Sequence, residues 1–276
     1  MACGGRKVDD IGGGVPLITV SIEPLRYITE QIVGNHYRVE SFVPDGNSPE
    51  NYEPTPKQMM RLHQSSLFLM IGELGFERAW REKLEEICRQ TMFVKTSSGI
   101  LHHRNKDQQC HSHHGCGIVD PHVWTSPQNM KLIAQNIFQA VCALDTTHVA
   151  LYRENLQKLN DDIDRLDKEI HHFTDSIQKR AFLIYHPSLT YFSEEYHLIQ
   201  LNMEHEGKEP SAKQLSELIA TCRQHDVNVI FVQKEFDIQH SRLVANELDA
   251  QVVVINPLSY DWKGEMLNIA KTLYAQ

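Results

Sequence analysis

Between positions 102 and 122 the chain carries His102, His103, Cys110, His111, His113, His114, Cys116 and His122, which is six of its sixteen histidines and two of its six cysteines. Imidazole nitrogen and thiolate sulfur are the donors that borderline-soft divalent metals take. The residues between them are largely Gly, Ser, Asn and Gln, which cannot build a core, so the segment reads as metal chemistry on a polar loop. A purification tag would be terminal and homopolymeric, whereas this tract is interrupted and lies mid-chain. An ordinary polar loop that happens to be rich in histidine is the competing reading, because composition shows capacity for metal and not occupancy.

The elements that must position these donors belong to an ordinary globular chain. Its 276 residues suffice for two domains of roughly 130 residues. A hydrophobic fraction of 41% with 23% charged residues allows proper cores to be buried. The formal net charge of −9 disfavours nucleic acid and suits a cation, since phosphate binding needs a basic stripe and none is visible. No run of about 18 apolar residues occurs, so no membrane span is read. Cys3, preceded by Met1 and Ala2 and followed by a Gly-rich polar stretch to Gly14, has two readings: the lipidated cysteine of a bacterial lipoprotein whose signal is replaced by Met, or a cysteine in a disordered tail. Cys88, Cys142 and Cys222 fall in amphipathic segments and read as buried small hydrophobes, with a Cys88 to Cys142 bridge as the alternative.

From residue 15 onward, short apolar runs alternate with helical periods. Strands are expected at 15–20, 36–43, 66–71, 92–95, 180–185, 197–203, 227–232 and 251–255. Helices are expected at 22–33, from the Thr55-Pro56 cap onward, at 77–89, from the Ser126-Pro127 cap to about 144, and at 188–196, 211–226, 238–248 and 262–274. Between the two sets, Tyr152, Leu156, Leu159, Ile163, Leu166, Ile170, Phe173 and Ile177 recur at spacings of four and three. That predicts one helix of roughly thirty residues and about 45 Å. A free coiled coil is the alternative; a spine within the chain fits better, because α/β patterns flank it on both sides. The fold class is therefore α/β: two lobes, each a mainly parallel sheet with helices on both faces, joined by a long backbone helix, with a ligand cleft between them. The boundaries expected are a disordered tether at 1–14, a first lobe at 15–146 containing the His-rich loop 102–116, the linking helix at 147–178 and a second lobe at 179–276.

Ligands of open α/β sheets collect beyond the carboxyl ends of the strands. Four such loops hold donor atoms: residues 44–54, the DPHVW run at 120–124, residues 185–188 and Asn256-Pro257-Leu258. Their order, the His-rich insert just before DPHVW, the helix pattern from Tyr152 to Leu166, and His186 followed by Tyr191-Phe192 together resemble the metal-binding receptors of bacterial ABC transporters of the ZnuA/TroA type (cluster A-I). The resemblance runs from residue 15 to the C-terminus. It implies that His122 and His186 are metal ligands. The family's first ligand is a histidine in a loop similar to SPHDYEPSP, and Glu50 stands there in this chain. The fourth is usually an aspartate before Pro-Leu, and Asn256 stands there, so its amide oxygen or a water would complete the set.

One carboxylate and two imidazoles suit tetrahedral zinc, and exchanging a second carboxylate for an amide removes a hard ligand that manganese would favour. A His-rich insert likewise marks the family's zinc-handling members. Zn2+ is thus the expected cargo, with Mn2+ or Fe2+ as the alternative. His102, His103, Cys110, His111, His113, His114 and Cys116 are expected to form a secondary, mobile metal site. The resemblance further implies a monomeric receptor in the periplasm or on the outer face of a bacterial membrane, held by a lipid on Cys3. Its partners would be a permease and that permease's ATPase. A zinc-dependent hydrolase is the reading from another class, but HExxH, GxSxG, Walker and GxGxxG patterns are missing from the sequence, so no enzyme is expected. Glu53, Glu73, Gln233 and Glu235 are further polar groups at strand ends and read either as ordinary surface residues or as holders of ring N–H groups.

Overall fold

The computed structural model describes residues 15–102, 119–204 and 210–276. Eight strands form two four-stranded, wholly parallel sheets. In the first, β1 (Leu17–Val20) lies between β2 (Arg38–Ser41) and β3 (Leu67–Met70), with β4 (Met92–Lys95) outside β3. The second repeats that order with β5 (Ala181–Ile184), β6 (Ile199–Asn202), β7 (Val229–Gln233) and β8 (Gln251–Ile255) as β6-β5-β7-β8. The central strands β1, β3 and β5 are buried along their whole length and read LITV, LFLM and AFLI, as strands covered on both faces must. In each sheet the strand order reverses beside the central strand, which opens a crevice at the carboxyl edge.

Helices α1 (Glu23–Val33), α2 (Pro56–His63), α3 (Gly75–Ile87) and α4 (Pro127–Leu144) belong to the first half; α6 (Thr190–Glu195), α7 (Ala212–Gln224), α8 (Gln239–Leu248) and α9 (Trp262–Tyr274) belong to the second. Their starts follow the caps read from sequence. Thr55 accepts from Gln58 N–H while the Gln58 side chain reaches back to Thr55 N–H, and Ser126 accepts from Asn129 N–H. The linking helix α5 spans Val149–Thr174, 26 residues or about 39 Å, and is shorter than its apolar period suggests. At its N-terminal end, Asp145 holds His148 Nδ1 and the Tyr152 hydroxyl, both at 2.7 Å. At the other end Ile177 continues the apolar pattern outside the helix, packed on the core from the following loop.

The stripe Tyr152, Leu156, Leu159, Ile163, Leu166 and Ile170 is buried, each such side chain contributing about 1.5–3 kcal/mol. It packs between α4 and α1 on one side and α9 on the other. Burial there does more than join two separate bodies. One continuous apolar cluster includes β1, β3, α4 and α5 together with Phe182, Phe231, Ile255 and Trp262 of the second sheet. Only the far face of that sheet, under α7 and α8, has a cluster of its own. Cys88, Cys142 and Cys222 are free thiols, so the alternative of a Cys88 to Cys142 bridge is set aside.

A buried carboxyl organises the carboxyl edge of the first sheet. Glu77, on the first turn of α3, accepts from the N–H groups of Ile71 (2.9 Å), Gly72 (2.5 Å) and Leu74 (3.3 Å). Burial raises its pKa from 4.5 to about 7, against these donors, which lower it. The folded state therefore keeps a proton that an unfolded chain sheds near 4.5, and Glu77's contribution to stability is lost as pH rises through about 7. Thermal unfolding of the metal-free protein across this interval is expected to show that slope, and Glu77→Gln to flatten it. In Glu77→Ala, three stranded donors should lower stability by about 3 kcal/mol or more.

Candidate metal centre

Loops from both sheets meet at the crevice. Glu50 lies beyond β2, His122 beyond β4, His186 beyond β5 and Glu235 beyond β7, all at carboxyl edges. The Glu50 loop is clamped by the start of α3. Phe76 N–H donates to Pro49 O at 3.0 Å, and Gly75 packs so tightly that a Cβ would stand 1.8 Å from Glu50 O. Only glycine permits that approach. The DPHVW segment turns through a short 3-10 turn, Val123–Thr125, and is buried from Asp120 through Ser126. Trp124 Nε1 donates to Pro257 O at 2.9 Å and Trp262 Nε1 to Trp124 O at 2.8 Å. The Tyr191 hydroxyl donates to Asp120 O at 2.9 Å. His122 is thus carried by the first half of the chain and locked against the second.

Both imidazoles are oriented by carboxylates. His122 Nδ1 lies 2.8 Å from Asp120 Oδ1, which also accepts the His122 N–H at 2.9 Å; His186 Nδ1 lies 2.8 Å from Glu204 Oε2. A carboxylate accepts, so each ring carries its proton on Nδ1 and presents the Nε2 lone pair to the crevice. Burial opposes a charged His122 ring, but the Asp120 charge and hydrogen bond outweigh it and raise the pKa. Burial likewise works against the Asp120 carboxylate, yet His122 holds its pKa below the usual value. Gln233 fixes the backbone of the His186 loop, its amide donating to His186 O at 2.5 Å and Ser188 Oγ at 2.6 Å. Phe236 stacks on the His186 ring with centroids 5.5 Å apart.

The result is a set of three groups: Glu50, His122 and His186 each offer one ligand atom, all within 4.8 Å of one another. The His122 and His186 rings lie 5.2 Å apart, and His122 Nε2 is 4.0 Å from Glu50 Oε1. Glu50 Oε1 and His186 Nε2 are buried without hydrogen-bond partners, a cost that a metal would remove. In tetrahedral zinc, bonds of about 2 Å place donors roughly 3.3 Å apart, so a contraction of at most about 1.5 Å would close the set. The cavity they line offers about 30 Å3 to water-sized spheres, room for an ion with water.

Other candidates sit elsewhere. Asn256 is not on the pocket wall, which Pro257 and Leu258 line. Its Oδ1 accepts from Leu258 N–H at 3.2 Å, its N–H donates to Glu265 at 2.8 Å, and its side chain bonds Asp45. Of the four polar groups available to hold ring N–H, none does so among the described residues: Glu53 is exposed, Glu73 pairs with Lys95, Gln233 holds backbone, and Glu235 lines the pocket. Asp120 and Glu204 take that role. Glu204 had a signal, since it follows closely on β6 at the same carboxyl edge. Of the His-rich segment, His102 is half-buried with Nε2 3.4 Å from Ser97 Oγ. His103, Cys110, His111, His113, His114 and Cys116 lie outside the described residues, as does Cys3.

Known proteins share this fold. Residues 18–275 match the family model described as "Zinc-uptake complex component A periplasmic". A solved structure titled "Crystal structure of ZnuA" superposes with a TM-score of 0.88 at 32% identity, covering 95% of this chain and 99% of that one. The high-affinity zinc uptake system protein ZnuA of Bacillus subtilis is 27% identical over 93% of this chain and 84% of its own length. A manganese ABC transporter substrate-binding lipoprotein, PsaA of Streptococcus mitis, is 26% identical over 91% and 83%.

The carboxylates behind the rings give a direct test. Asp120→Asn and Glu204→Gln are each expected to weaken divalent metal binding about 10–100-fold, as loss of such partners does elsewhere. Competition against a chromophoric chelator measures this. Unchanged affinity in both variants would show that ring orientation does not depend on them.

Proposed function

This chain belongs to the family of periplasmic zinc-uptake components, the substrate-binding receptors of metal ABC transporters and not enzymes, and from that membership we propose that its cargo is Zn2+. One observation carries the reading: Glu50 and the two Nε2 atoms of His122 and His186 converge within 4.8 Å, an N2O set with neither thiolate nor a dense oxygen cage. Zinc accepts two imidazoles and a carboxylate in four-coordination, whereas manganese favours six ligands rich in oxygen. The streptococcal relative is named for manganese, so the distinction between metals belongs to this chain's own ligands.

In this reading the receptor captures zinc outside the cytoplasm, tethered through Cys3, and as a monomer presents it to a permease driven by a separate ATPase. Capture draws the Glu50 loop and the His186 loop together by the small contraction described above. Release reverses it when the permease engages the two halves, with α5 and the shared core restricting the movement to loops. The segment 102–116 serves as a weaker zinc site that gathers ions near the crevice.

Titration of the metal-free protein is expected to show one tight zinc site per chain that manganese does not displace at equal concentration. His122→Ala or His186→Ala should weaken it at least about 100-fold, the loss of one of few ligands in a site of this kind. Deleting residues 102–116 should preserve the tight site and remove only weaker stoichiometry. Preferential binding of manganese, or loss of the tight site on that deletion, would overturn the assignment of cargo or ligands respectively.

A further inference from the structure

Among the described residues, Glu235 is the one acidic group on the pocket wall besides Glu50. It sits in the turn that follows β7, closed by Phe236 N–H donating to Gln233 O at 3.0 Å. Three contacts fix that turn against the site. Phe236 stacks on the His186 ring, the Gln233 side chain holds the backbone and hydroxyl of the His186 loop, and Lys234 pairs across the crevice with Asp45 at 2.8 Å. Held this way, Glu235 has one carboxyl oxygen, Oε1, buried and without a hydrogen-bond partner. A buried carboxyl oxygen left unpaired costs free energy that some ligand must offset.

We propose that Glu235 is a fourth metal ligand of this receptor, a carboxylate that swings onto the ion to complete a two-imidazole, two-carboxylate set with Glu50, His122 and His186. The inference rests on the reading of the pocket as a metal site. Asn256 is not available as a fourth donor, because its side chain is engaged by Leu258 N–H and Asp45. Three donors leave a tetrahedral Zn2+ one ligand short, and Glu235 is the remaining anionic donor among the described residues that line the pocket. It is not a member of the group whose donor atoms already lie within 4.8 Å of one another, so its side chain must rotate on binding.

Zinc affinity of the full chain, measured by chelator competition, and the visible absorption of its Co2+ form test the proposal. Glu235→Gln is expected to weaken zinc about 10–100-fold and to change the Co2+ bands, because a carboxylate leaves the coordination sphere. Glu235→Asp, with a shorter arm, should fall between it and the parent, while Asn256→Ala should stay within about threefold. Thermal unfolding of the metal-free Glu235 variants should match the parent, showing that the loss lies in the site. Parent-like affinity and Co2+ bands in Glu235→Gln, with Glu50→Gln strongly impaired, would remove Glu235 from the ligand set and leave the metal site standing. If Glu50→Gln and His186→Ala also bound zinc like the parent, the reading of the pocket itself would fall, and Glu235 with it.

Discussion

The buried indole of Trp124 is the constraint on which the site depends. Its N–H reaches Pro257 O in the second half of the chain, and its own carbonyl accepts the N–H of Trp262, so both fully buried indoles donate across the junction. Each is a buried polar group that has to be satisfied, and each is satisfied only in this relative placement. Two residues before Trp124 stands His122, and two before that stands Asp120, whose carbonyl takes the Tyr191 hydroxyl. Packing therefore places an imidazole from one sheet 5.2 Å from an imidazole of the other before any ion arrives.

That arrangement explains why the two halves share an apolar core and not merely a linker. A metal site made of groups from distant loops needs its partners held to within fractions of an ångström, and loops alone do not supply this. Here β-strand ends aim the side chains, α5 and the continuous core fix one sheet against the other, and the carboxylates of Asp120 and Glu204 fix the tautomer of each ring. The Glu50, Glu235 and His186 side chains stand outside that shared core, so a small closing movement would fall to the loops that carry them. Gly75 sets how near the first of these comes, since no side chain fits between α3 and Glu50 O.

Much of this was legible in the sequence. The parallel strands show as short, unbroken apolar runs; the helices show as capped amphipathic periods; the strand-end rule leads to four donor-bearing loops, and the family resemblance singles out Glu50, His122 and His186 within them. What could not be read was which polar groups face which. Glu204 and Glu235 look like ordinary residues after strands, and only the folded positions reveal that one takes a ring N–H while the other lies on the pocket wall with an unpaired oxygen. Asn256 shows the converse. Its place before Pro-Leu matches a ligand position, but the local turn claims its side chain. The apolar period also overran the end of α5, because Ile177 packs on the core without being helical. Sequence pattern reports burial better than it reports hydrogen-bond partners.

The account's central claim is that an ion binds between the halves through Nε2 of both rings and a Glu50 oxygen. A crystal structure of the protein with zinc, with anomalous scattering recorded at the zinc edge, tests it most directly. The strongest anomalous peak should lie about 2.0–2.2 Å from His122 Nε2, His186 Nε2 and a Glu50 carboxylate oxygen, with Asp120 and Glu204 still on the Nδ1 atoms. A principal peak outside this pocket, or one bound through Nδ1 with Glu50 turned away, would contradict it.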